Sequence, residues 1–349
     1  MRKVSFGGGE RRKLTLITEL IKQGHKIFIF SHDAEEISQL SVSFEKIILK
    51  KKRNNIIQLI TDSLAILKIQ KYKNIHCQIQ FGISSRFIIS SYLNKVSSII
   101  VTTVDPMFVK KKLKLWVRTS ISFLLSNGII FQTQKIRIRY SKSIQAKSVV
   151  IPNPIMDDFL PIPLKVRKYK VVSIGRLSEE KNYPLLINAF SNISPNDYTL
   201  HIYGDGPLKS YLQELIAKLR MEDKIFLEGH VNRVVDKISD AEIFVLCSNF
   251  EGMPNALIEA MAMGLACIST NFPSGAAEFL IKNKRNGLLI SVGDQKQLEE
   301  SLELLIKDKA LTNRIGESAI EVRDLLKKEN IIGEWLSFVK KTVNQSHNK

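Results

Sequence analysis

The chain has 349 residues, of which 44% are hydrophobic, and a formal net charge of +18 at pH 7. Because one hydrophobic core usually stops growing below this length, two domains are expected. No apolar run reaches the roughly 18 residues that cross a bilayer, and the opening MRKVSFGGGE lacks the apolar core of a signal peptide. We therefore expect a protein that neither spans a membrane nor is secreted by that route. The three cysteines, Cys77, Cys247 and Cys267, are far apart and are expected to be reduced, buried thiols of a cytosolic protein.

The charge is divided unequally along the chain. Residues 1–150 contain 27 Lys and Arg but 8 Asp and Glu, whereas residues 151–349 contain 25 and 26. The first part therefore carries the whole of the positive excess, which indicates an anionic partner.

Short apolar runs rich in β-branched residues alternate with amphipathic segments, which is the pattern of βαβ units and parallel sheets. In the first half the predicted strands are 26–31, 45–50, 75–81, 97–103, 128–133 and 148–152. In the second half they are 170–175, 199–204, 224–229, 242–248 and 265–270. The sequence thus predicts an α/β protein made of two doubly wound, Rossmann-like domains.

A proline-rich stretch, IPNPIMDDFLPIPLK at 151–165, separates the two halves and holds four of the ten prolines. Proline cannot donate to a ladder of backbone hydrogen bonds, so we interpret this stretch as a linker. The predicted domains are residues 1–152 and 153–349. The helical, charged segment from about 295 to 341 is expected to close the second domain, unless its last helix packs back on the first.

Two predicted strand ends in the second half carry candidate binding residues. Arg176 and Lys181 follow the strand 170–175, at the edge of a parallel sheet where ligands of open α/β folds bind. Two such cations can clamp a diphosphate, although they can equally be solvated loop charges. After the strand 199–204, Gly204 and Gly206 permit a tight turn with close backbone approach, and Pro207 suits the first position of a helix. An ordinary strand-to-helix turn would explain these three residues as well.

The stretch NFEGMPNALIEAMAMG, residues 249–264, contains two acids around the start of a predicted helix. Pro254 suits the first turn of this helix and Gly264 its carboxyl end, so Glu251 lies in the preceding loop and Glu259 inside the helix. The free backbone N–H groups of residues 253–256 and the helix dipole suit an anion or sugar hydroxyls.

The two acids suit the binding of an uncharged polyol better than hydrolysis or metal binding. Eight residues of helix span about 12 Å, which exceeds the roughly 5 to 9.5 Å between the carboxyl groups of glycoside hydrolases. No Asp-x-Asp or His/Asp cluster accompanies them, so no metal site is predicted. Carboxylates accept hydrogen bonds, and adjacent sugar hydroxyls donate them.

Four segments of the second half, over residues 148–295, resemble retaining glycosyltransferases of family 4, which have the GT-B fold. They are SIGRLSEEKNYPLLINAF, LHIYGDGPLKSYL, FLEGHV and SNFEGMPNALIEAMAMGLACISTNFPSGAAEFL, and the last contains the E-x7-E motif as Glu251 and Glu259. The resemblance implies that Arg176 and Lys181 hold the diphosphate of a nucleotide-sugar and act in catalysis with Glu251, which would bind the donor sugar. Glu259 would bind the ribose, and the EGHV loop would flank the base. The implied donor-binding set is Gly175, Arg176, Lys181, Gly204, Gly229, His230, Val231, Glu251, Gly252, Met253, Pro254, Asn255, Ala256, Leu257 and Glu259.

The first half is similar to the acceptor domain of these enzymes. GGGERR resembles their Gly-rich loop followed by Glu-Arg, which places Gly8 and Gly9 in an acceptor or phosphate loop. DPMFVKK, GIIFQTQ and KSVVIPNPI resemble segments of transferases that build bacterial surface polysaccharides. The opening departs from the pattern, because only MRKVSF precedes the glycines. No catalytic residue is identified in this half, and a flexible start without function is the other interpretation of the glycines.

The segment FVKKKLKLWVRTSISFLL, residues 108–125, is predicted to be a basic amphipathic helix. Lys110, Lys111, Lys114 and Arg118 fall on one arc, and the neighbouring arc holds Val109, Leu113, Trp116, Val117 and Leu124. Such a helix suits an anionic membrane surface, or its apolar face packs on the sheet and its lysines meet water. No nucleic-acid partner is expected, since zinc spacing, RNP-like strands and a recognition helix are missing from the sequence.

Together these features predict a metal-independent retaining glycosyltransferase without a cofactor. It would move a hexose or N-acetylhexosamine from a nucleotide-sugar, with UDP as the expected nucleotide, to a lipid-linked or saccharide acceptor in surface polysaccharide synthesis. Donor and acceptor would meet in a cleft between the domains, on the cytoplasmic, inner face of the membrane. A UDP-sugar epimerase of the same fold and a nucleic-acid-binding protein using the basic half are the alternatives.

Overall fold

Two compact units make up the chain in this computed structural model. Unit 1 comprises residues 1–154 and 329–349, and unit 2 comprises residues 155–328. The structure describes residues 8–31, 45–48, 55–106, 113–155, 168–194, 197–231 and 233–347. Most of the predicted linker, from residue 156 to 165, therefore lies outside the described residues.

Unit 1 alternates strands with helices. The strands are β1 (Phe28–Ser31), β2 (Glu45–Ile48), β3 (Cys77–Phe81), β4 (Ser97–Thr102), β5 (Gly128–Phe131) and β6 (Ser148–Val150). The helices are α1 (Gly8–Lys22), α2 (Asn55–Tyr72), α3 (Ser85–Leu93), α4 (Leu113–Leu125), α5 (Gln134–Arg137) and α6 (Lys142–Ala146), with α15 (Lys328–His347) from the end of the chain. The strands pair in parallel as β1-β2 and as β3-β4-β5-β6, so the described sheet is in two pieces.

The core of unit 1 lies on both faces of β4, because alternate side chains of a strand point to opposite faces. Ile99 packs with Leu20 of α1 and Trp335 of α15, and Ile100 on the other face packs with Phe123 of α4. The last helix of the chain is thus a core element of unit 1, although more than 170 residues separate it from the rest of that unit.

Unit 2 repeats the alternation with longer ladders. Its strands are β7 (Lys168–Ile174), β8 (Thr199–Tyr203), β9 (Ile225–Gly229), β10 (Ala241–Leu246), β11 (Ala266–Thr270) and β12 (Leu288–Ile290). Its helices are α7 (Tyr183–Ile193), α8 (Lys209–Lys218), α9 (Val234–Ile238), α10 (Asn255–Ala262), α11 (Ala276–Leu280), α12 (Gln295–Lys307), α13 (Lys309–Ala319) and α14 (Val322–Leu325). The parallel strand order is β12-β11-β10-β7-β8-β9, and one large apolar cluster covers each face of this sheet.

The structure confirms the predicted fold class and every predicted strand to within three residues at each end. The sequence missed β12, whose three residues follow a polar turn and carry too short an apolar run to stand out. Two local predictions need correction. Helix α8 begins at Lys209, two residues after Pro207, and Pro254 precedes α10 as its N-cap residue instead of lying in its first turn.

The cysteines are all free, and two of them are core residues. Cys247 and Cys267 are buried, whereas Cys77 is half-buried, so the expectation of three buried thiols is wrong for that residue. Burial raises the pKa of the Cys247 thiol to about 12. No helix within the described ranges is both long enough and apolar enough to cross a membrane.

One close backbone contact in unit 2 explains a glycine inside a helix. Gly316 lies in α13, and a Cβ at this position would stand 2.3 Å from the carbonyl oxygen of Gly264 in the turn between α10 and β11. Rotation of a side chain cannot relieve a contact with backbone. Gly333 in α15 also lies inside a helix, but a Cβ there would meet nothing within 4 Å.

We therefore expect Gly316→Ala to lower the free energy of unfolding by about 1 to 3 kcal/mol, because the added methyl group overpacks the contact. The matched control, Gly333→Ala, should raise it by about 0.5 to 1 kcal/mol, because alanine loses less backbone entropy in a helix. Thermal denaturation followed by circular dichroism compares the two variants. A midpoint for Gly316→Ala at or above that of the unchanged protein would contradict the assignment.

Candidate functional site

The candidate site lies at the carboxyl edge of the unit 2 sheet. The chain leaves β7 toward β8 on one side, whereas β10 is its neighbour on the other side, so the strand order reverses between β7 and β10. Open α/β sheets bind ligands at such a switch point, outside the carboxyl ends of the strands. The loop after β7 carries Arg176 and Lys181, and the loop after β10 carries Glu251. The fold thus brings together predicted residues that lie about seventy positions apart in the chain.

Lys181 and Glu251 form an ion pair across this switch point. Both side chains are more than four-fifths buried, at 18% and 16% exposed. The Ser248 hydroxyl also donates to Oε1 of Glu251 at 2.9 Å. Because the pair is largely shielded from water, each partner holds the other in place more firmly than an exposed pair would.

Backbone contacts fix the loop after β10 against the loop after β7. The Asn249 amide donates to the carbonyl of Glu180 at 2.8 Å, and the Cys247 thiol donates to the carbonyl of Lys181 at 3.2 Å. These bonds set the separation between the backbone of Lys181 and the loop that holds Glu251. The ion pair therefore joins two loops that are already fastened together.

Two buried hydroxyl groups support the same loop from the β11 side. Thr270 donates to the carbonyl of Ser248 at 2.6 Å, and Ser274 donates to the carbonyl of Gly252 at 3.1 Å. Sequence reasoning missed Ser248, Thr270 and Ser274. The S-x-x-E spacing of Ser248 and Glu251 was a possible signal for the first, but no local pattern connects the other two with the loop.

The glycines after β8 allow close approach to the loop that carries Arg176. The φ angle of Gly204 is +147°, and a Cβ there would lie 1.9 Å from the carbonyl oxygen of Gly175. At Gly206 a Cβ would lie 2.4 Å from the carbonyl oxygen of Leu177. The amide of Leu177 in turn donates to the carbonyl of Asp205 at 3.0 Å. These glycines are therefore required by the packing of the two loops.

Arg176 differs from Lys181 in its surroundings. Its side chain is exposed and forms no ion pair with any described residue. The carboxyl edge of the unit 2 sheet thus presents the guanidinium of Arg176, which is unpaired among the described residues. It lies in the same loop as the ammonium of Lys181, which is paired with Glu251. A guanidinium in this position can form two parallel hydrogen bonds with a phosphate group.

Some residues around the start of α10 can bind a ligand only through their backbone, whereas others can use their side chains. Met253, Pro254 and Leu257 are buried, and Met253 and Leu257 belong to the apolar core. Their side chains cannot face a polar ligand, so they can contribute through the backbone alone. Asn255 opens the helix, and its buried side-chain oxygen has no hydrogen-bond partner among the described residues.

The remaining predicted donor-binding residues lie at the same edge or on the helix. Gly229 ends β9 with a φ of +71°, and its carbonyl accepts from the amide of Gly204 at 2.8 Å. His230 is exposed and Val231 is half-buried, so this loop offers one polar and one apolar surface. Glu259 is half-buried on α10.

The predicted site residues of unit 1 lie partly outside the described residues, and two of them lie in a helix instead of the predicted loop. Gly8 and Gly9 are the first two residues of α1, so the structure contradicts their placement in a loop. Lys110 and Lys111 lie outside the described residues, whereas Lys114 and Arg118 are exposed on α4. Within the described residues, no group of three or more His, Cys, Asp or Glu side chains could hold a metal ion.

The joint contribution of the ion pair can be measured by replacing Lys181 with Met and Glu251 with Gln, singly and together. Each single change leaves one mostly buried polar or charged partner unpaired, so the double variant should lose less stability than the sum of the single losses. We expect a coupling energy of about 0.5 to 3 kcal/mol from denaturant unfolding. The exposed pair Lys296 and Glu300, 4.0 Å apart, is the control and should give about 0 to 0.5 kcal/mol. Additive losses at Lys181 and Glu251 would argue against the pair.

Comparison with known proteins shows what unit 2 is similar to. Residues 157–322 match the family described as Glycosyl transferases group 1. A curated relative from Campylobacter jejuni, an N-acetylgalactosamine-N,N'-diacetylbacillosaminyl-diphospho-undecaprenol 4-alpha-N-acetylgalactosaminyltransferase, is 36% identical over 141 residues. This match covers 40% of the chain and 38% of the relative's own length.

Two further similarities extend over the whole chain. A second Campylobacter jejuni protein is described as a GalNAc-alpha-(1->4)-GalNAc-alpha-(1->3)-diNAcBac-PP-undecaprenol alpha-1,4-N-acetyl-D-galactosaminyltransferase. It is 24% identical over 373 aligned positions, which cover 99% of the chain and 100% of the relative. The solved structure of Anabaena Alr3699/HepE in complex with UDP-glucose superposes with a TM-score of 0.77 at 15% identity, over 97% of the chain and 98% of that protein. The chain thus has the α/β GT-B fold of solved glycosyltransferases, and its match to the group 1 glycosyl transferases covers residues 157–322.

Proposed function

We propose that the protein is a retaining glycosyltransferase that moves a hexose or N-acetylhexosamine from a nucleotide-sugar to a lipid-linked or saccharide acceptor. The observation that carries this proposal is the Lys181–Glu251 ion pair at the switch point of a domain that matches the group 1 glycosyl transferases, with the exposed Arg176 in the same loop. The ammonium of Lys181, which can bind phosphate, therefore lies next to the carboxylate of Glu251, which can bind hydroxyl groups. A nucleotide-sugar has a diphosphate next to a sugar, which matches this juxtaposition.

The proposed reaction needs charge stabilisation more than a protein base. The bond between the anomeric carbon and the diphosphate oxygen breaks, and the acceptor oxygen bonds to that carbon on the same face. The acceptor proton passes to the leaving diphosphate oxygen. Arg176 and Lys181 stabilise the negative charge that develops on the diphosphate, and preorganised charges of this kind are a large part of enzymatic rate enhancement.

Glu251 has two tasks in this proposal. It accepts hydrogen bonds from the donor sugar, and in the free protein it also holds Lys181 in position. When the diphosphate arrives, Lys181 can turn toward it at little entropic cost, because its backbone is already fixed by the Cys247 and Asn249 contacts. Glu259 binds the ribose, and the loop at Gly229 to Val231 flanks the base.

The ligands and names of similar proteins support the donor and acceptor classes. The Anabaena protein was solved in complex with UDP-glucose, and both Campylobacter relatives are named as transferases that act on undecaprenol-linked diphosphate glycans. We therefore propose a UDP-sugar as donor and a lipid-linked glycan of bacterial surface polysaccharide synthesis as acceptor. The site supplies its own cations for the diphosphate, so we propose that transfer proceeds with neither a metal ion nor a cofactor.

Arg176→Ala and Lys181→Ala should each reduce transfer at least about tenfold, because each removes a charge-assisted contact worth about 1.5 to 3 kcal/mol. The assay incubates the protein, with EDTA, with a panel of radiolabelled nucleotide-sugars and a bacterial lipid extract. Lys296→Ala removes an exposed cation from α12 and is the matched control. It should leave transfer unchanged.

Three outcomes of this assay would overturn the proposal. Activity of both variants within threefold of the unchanged protein would remove the diphosphate assignment. Sugar isomerisation without transfer would favour an epimerase. Activity that is lost with EDTA and restored by a divalent cation would contradict metal-independent transfer.

We also propose that unit 1 binds an anionic membrane surface through α4. This helix packs on the unit through Thr119, Ser122 and Phe123, which are buried. The opposite face is apolar and exposed, and it comprises Leu113, Trp116, Val117, Ile121 and Leu124. The interpretation in which this apolar face packs on the sheet is therefore wrong. Exposed apolar surface next to basic side chains is typical of helices that lie in a membrane interface.

Two neighbouring helices also carry exposed apolar residues. Helix α3 contacts both α2 and α4. Ile60 and Leu64 of α2 and Tyr92 and Leu93 of α3 are each more than half exposed. Within 55–95 and 113–125 the one acidic residue, Asp62, is buried, so the exposed charges described in these ranges are basic. The combination of apolar and basic groups suits an anionic bilayer, and we propose that the protein acts on the inner face of the cell membrane.

The protein should sediment with vesicles that contain anionic lipid more than with neutral vesicles, and salt near 1 M should weaken the binding by screening. Replacing Lys110, Lys111, Lys114 and Arg118 with Gln should lower the partition coefficient at least about tenfold, since each basic residue near the surface contributes about 1 kcal/mol. Leu113→Ser with Trp116→Ser should lower it at high salt as well.

The control for the charge changes is Lys22→Gln with Lys142→Gln, which alters exposed lysines on α1 and α6. Nucleotide-sugar affinity should stay unchanged in all these variants, because the proposed donor site belongs to unit 2. Equal sedimentation with neutral and anionic vesicles would refute the membrane assignment.

A further inference from the structure

The side chain of Lys181 packs against Gly175, the residue that follows β7. A Cβ at position 175 would stand 3.0 Å from Cε of Lys181 and 3.3 Å from its Cδ. Gly175 is not one of the glycines with a positive φ, so it is not needed here for a left-handed backbone. Room for the lysine is therefore what distinguishes glycine from other residues at this position.

Tyr183, the first residue of α7, closes the space around the same position. Its hydroxyl oxygen would stand 2.9 Å from a Cβ at residue 175. The residue is 1% exposed, and its hydroxyl is hydrogen-bonded to the side chain of Ser173, which donates to the carbonyl of Val245 at 2.7 Å. Burial raises the pKa of Tyr183 well above its ordinary value, so the hydroxyl stays neutral. The hydroxyl is thus held in the core and cannot move aside.

The contacts at Gly175 differ in kind from those at the other two glycines of the site. A Cβ at Gly204 or Gly206 would meet backbone oxygens at 1.9 and 2.4 Å. At Gly175 it would meet a fixed hydroxyl and the far end of a flexible lysine side chain. An added methyl group at Gly175 is therefore accommodated by displacement of Lys181, at little cost to the fold.

This contact lies between the two points at which Lys181 is already held. Glu251 binds its ammonium, and the Cys247 thiol donates to its backbone carbonyl at 3.2 Å. Between them, the contact with Gly175 guides the carbon atoms of the side chain. A lysine restricted in this way before a ligand arrives loses less rotamer entropy when it binds a phosphate.

We propose that Gly175 and Tyr183 are positioning residues for Lys181. Gly175 leaves room for the carbon atoms of the lysine, and Tyr183 fills the space that a side chain at 175 would otherwise take. Gly175 then acts through Lys181 instead of through its own contact with the donor. The effect on transfer rests on the proposed function, whereas the packing of the three residues does not. Sequence reasoning missed Tyr183, because its apolar neighbours in α7 mark it only as a core residue.

Gly175→Ala tests the effect on transfer. Transfer should fall at least about tenfold, because displacement of a catalytic group by about 1 Å can cost a hundredfold in rate. The midpoint of thermal unfolding should fall by less than about 4 °C, since the lysine and not the core gives way. Adding Tyr183→Phe should restore at least about threefold of the lost transfer, because removal of the hydroxyl makes room for the methyl group.

The Lys181→Ala background separates positioning from a merely structural role. Gly175→Ala should cost no further transfer there, because no lysine is left to displace. A further loss of at least about tenfold in that background would show that Gly175 acts by itself, and it would overturn the proposal. Failure of Gly175→Ala to fold would also overturn it, because the methyl group would then press on a neighbour that cannot move.

Acetylation of Lys181 by a reactive ester, followed by mass spectrometry, tests the packing without an assay of transfer. An amine displaced from a carboxylate loses its proton more readily, so Lys181 should react at least about threefold faster in Gly175→Ala than in the unchanged protein. Gly316→Ala adds a methyl group to a close contact elsewhere in unit 2 and is the control, which should leave the rate unchanged. Equal rates in Gly175→Ala and the unchanged protein would overturn the proposal. Faster acetylation with undiminished transfer would support the packing and contradict the diphosphate role of Lys181 instead.

Discussion

The ion pair between Lys181 and Glu251 is the interaction on which the candidate site depends. It joins the loops after β7 and β10, the two strands between which the order of the unit 2 sheet reverses. In the proposed function, exchange of this lysine and glutamate for apolar residues would remove the groups that bind phosphate and sugar hydroxyls. Two hydroxyl groups hold the loop that carries Glu251. The Ser248 hydroxyl donates to the carboxylate of Glu251, and the Thr270 hydroxyl donates to the backbone carbonyl of Ser248.

This arrangement explains why the site contains glycines and buried hydroxyl groups in addition to charges. Gly204 and Gly206 bring the loop after β8 into backbone contact with the loop that carries Arg176. The loops after β7, β8 and β10 are therefore fastened to one another by backbone atoms, and the charged side chains project from a rigid edge. Preorganisation of this kind would lower the side-chain entropy that the protein loses on binding the proposed diphosphate and sugar.

The two units use charge in different ways. The half of the sequence that contains unit 2 is nearly neutral, and its candidate site places two cations and a carboxylate at one edge of the sheet. Unit 1 contains the positive excess, and on α4 two of its basic residues, Lys114 and Arg118, adjoin an exposed apolar face. A concentrated charge suits one small ligand, whereas a spread charge beside apolar surface suits an extended anionic one.

The sequence alone predicted the fold class, every described strand except β12, the positions of Arg176, Lys181 and Glu251 after strand ends, and that of Glu259 in a helix. Hydrophobic periodicity and turn residues act over short distances, so they are legible in one sequence. Tertiary structure alone decided that Lys181 contacts Glu251, since seventy residues separate them and no local pattern encodes the contact. It also assigned α15 to unit 1 and exposed the apolar face of α4, whose amphipathic pattern fits packing against a sheet or a membrane equally well. A period of 3.6 residues gives a helix two distinct faces, but the surrounding elements determine which face is covered.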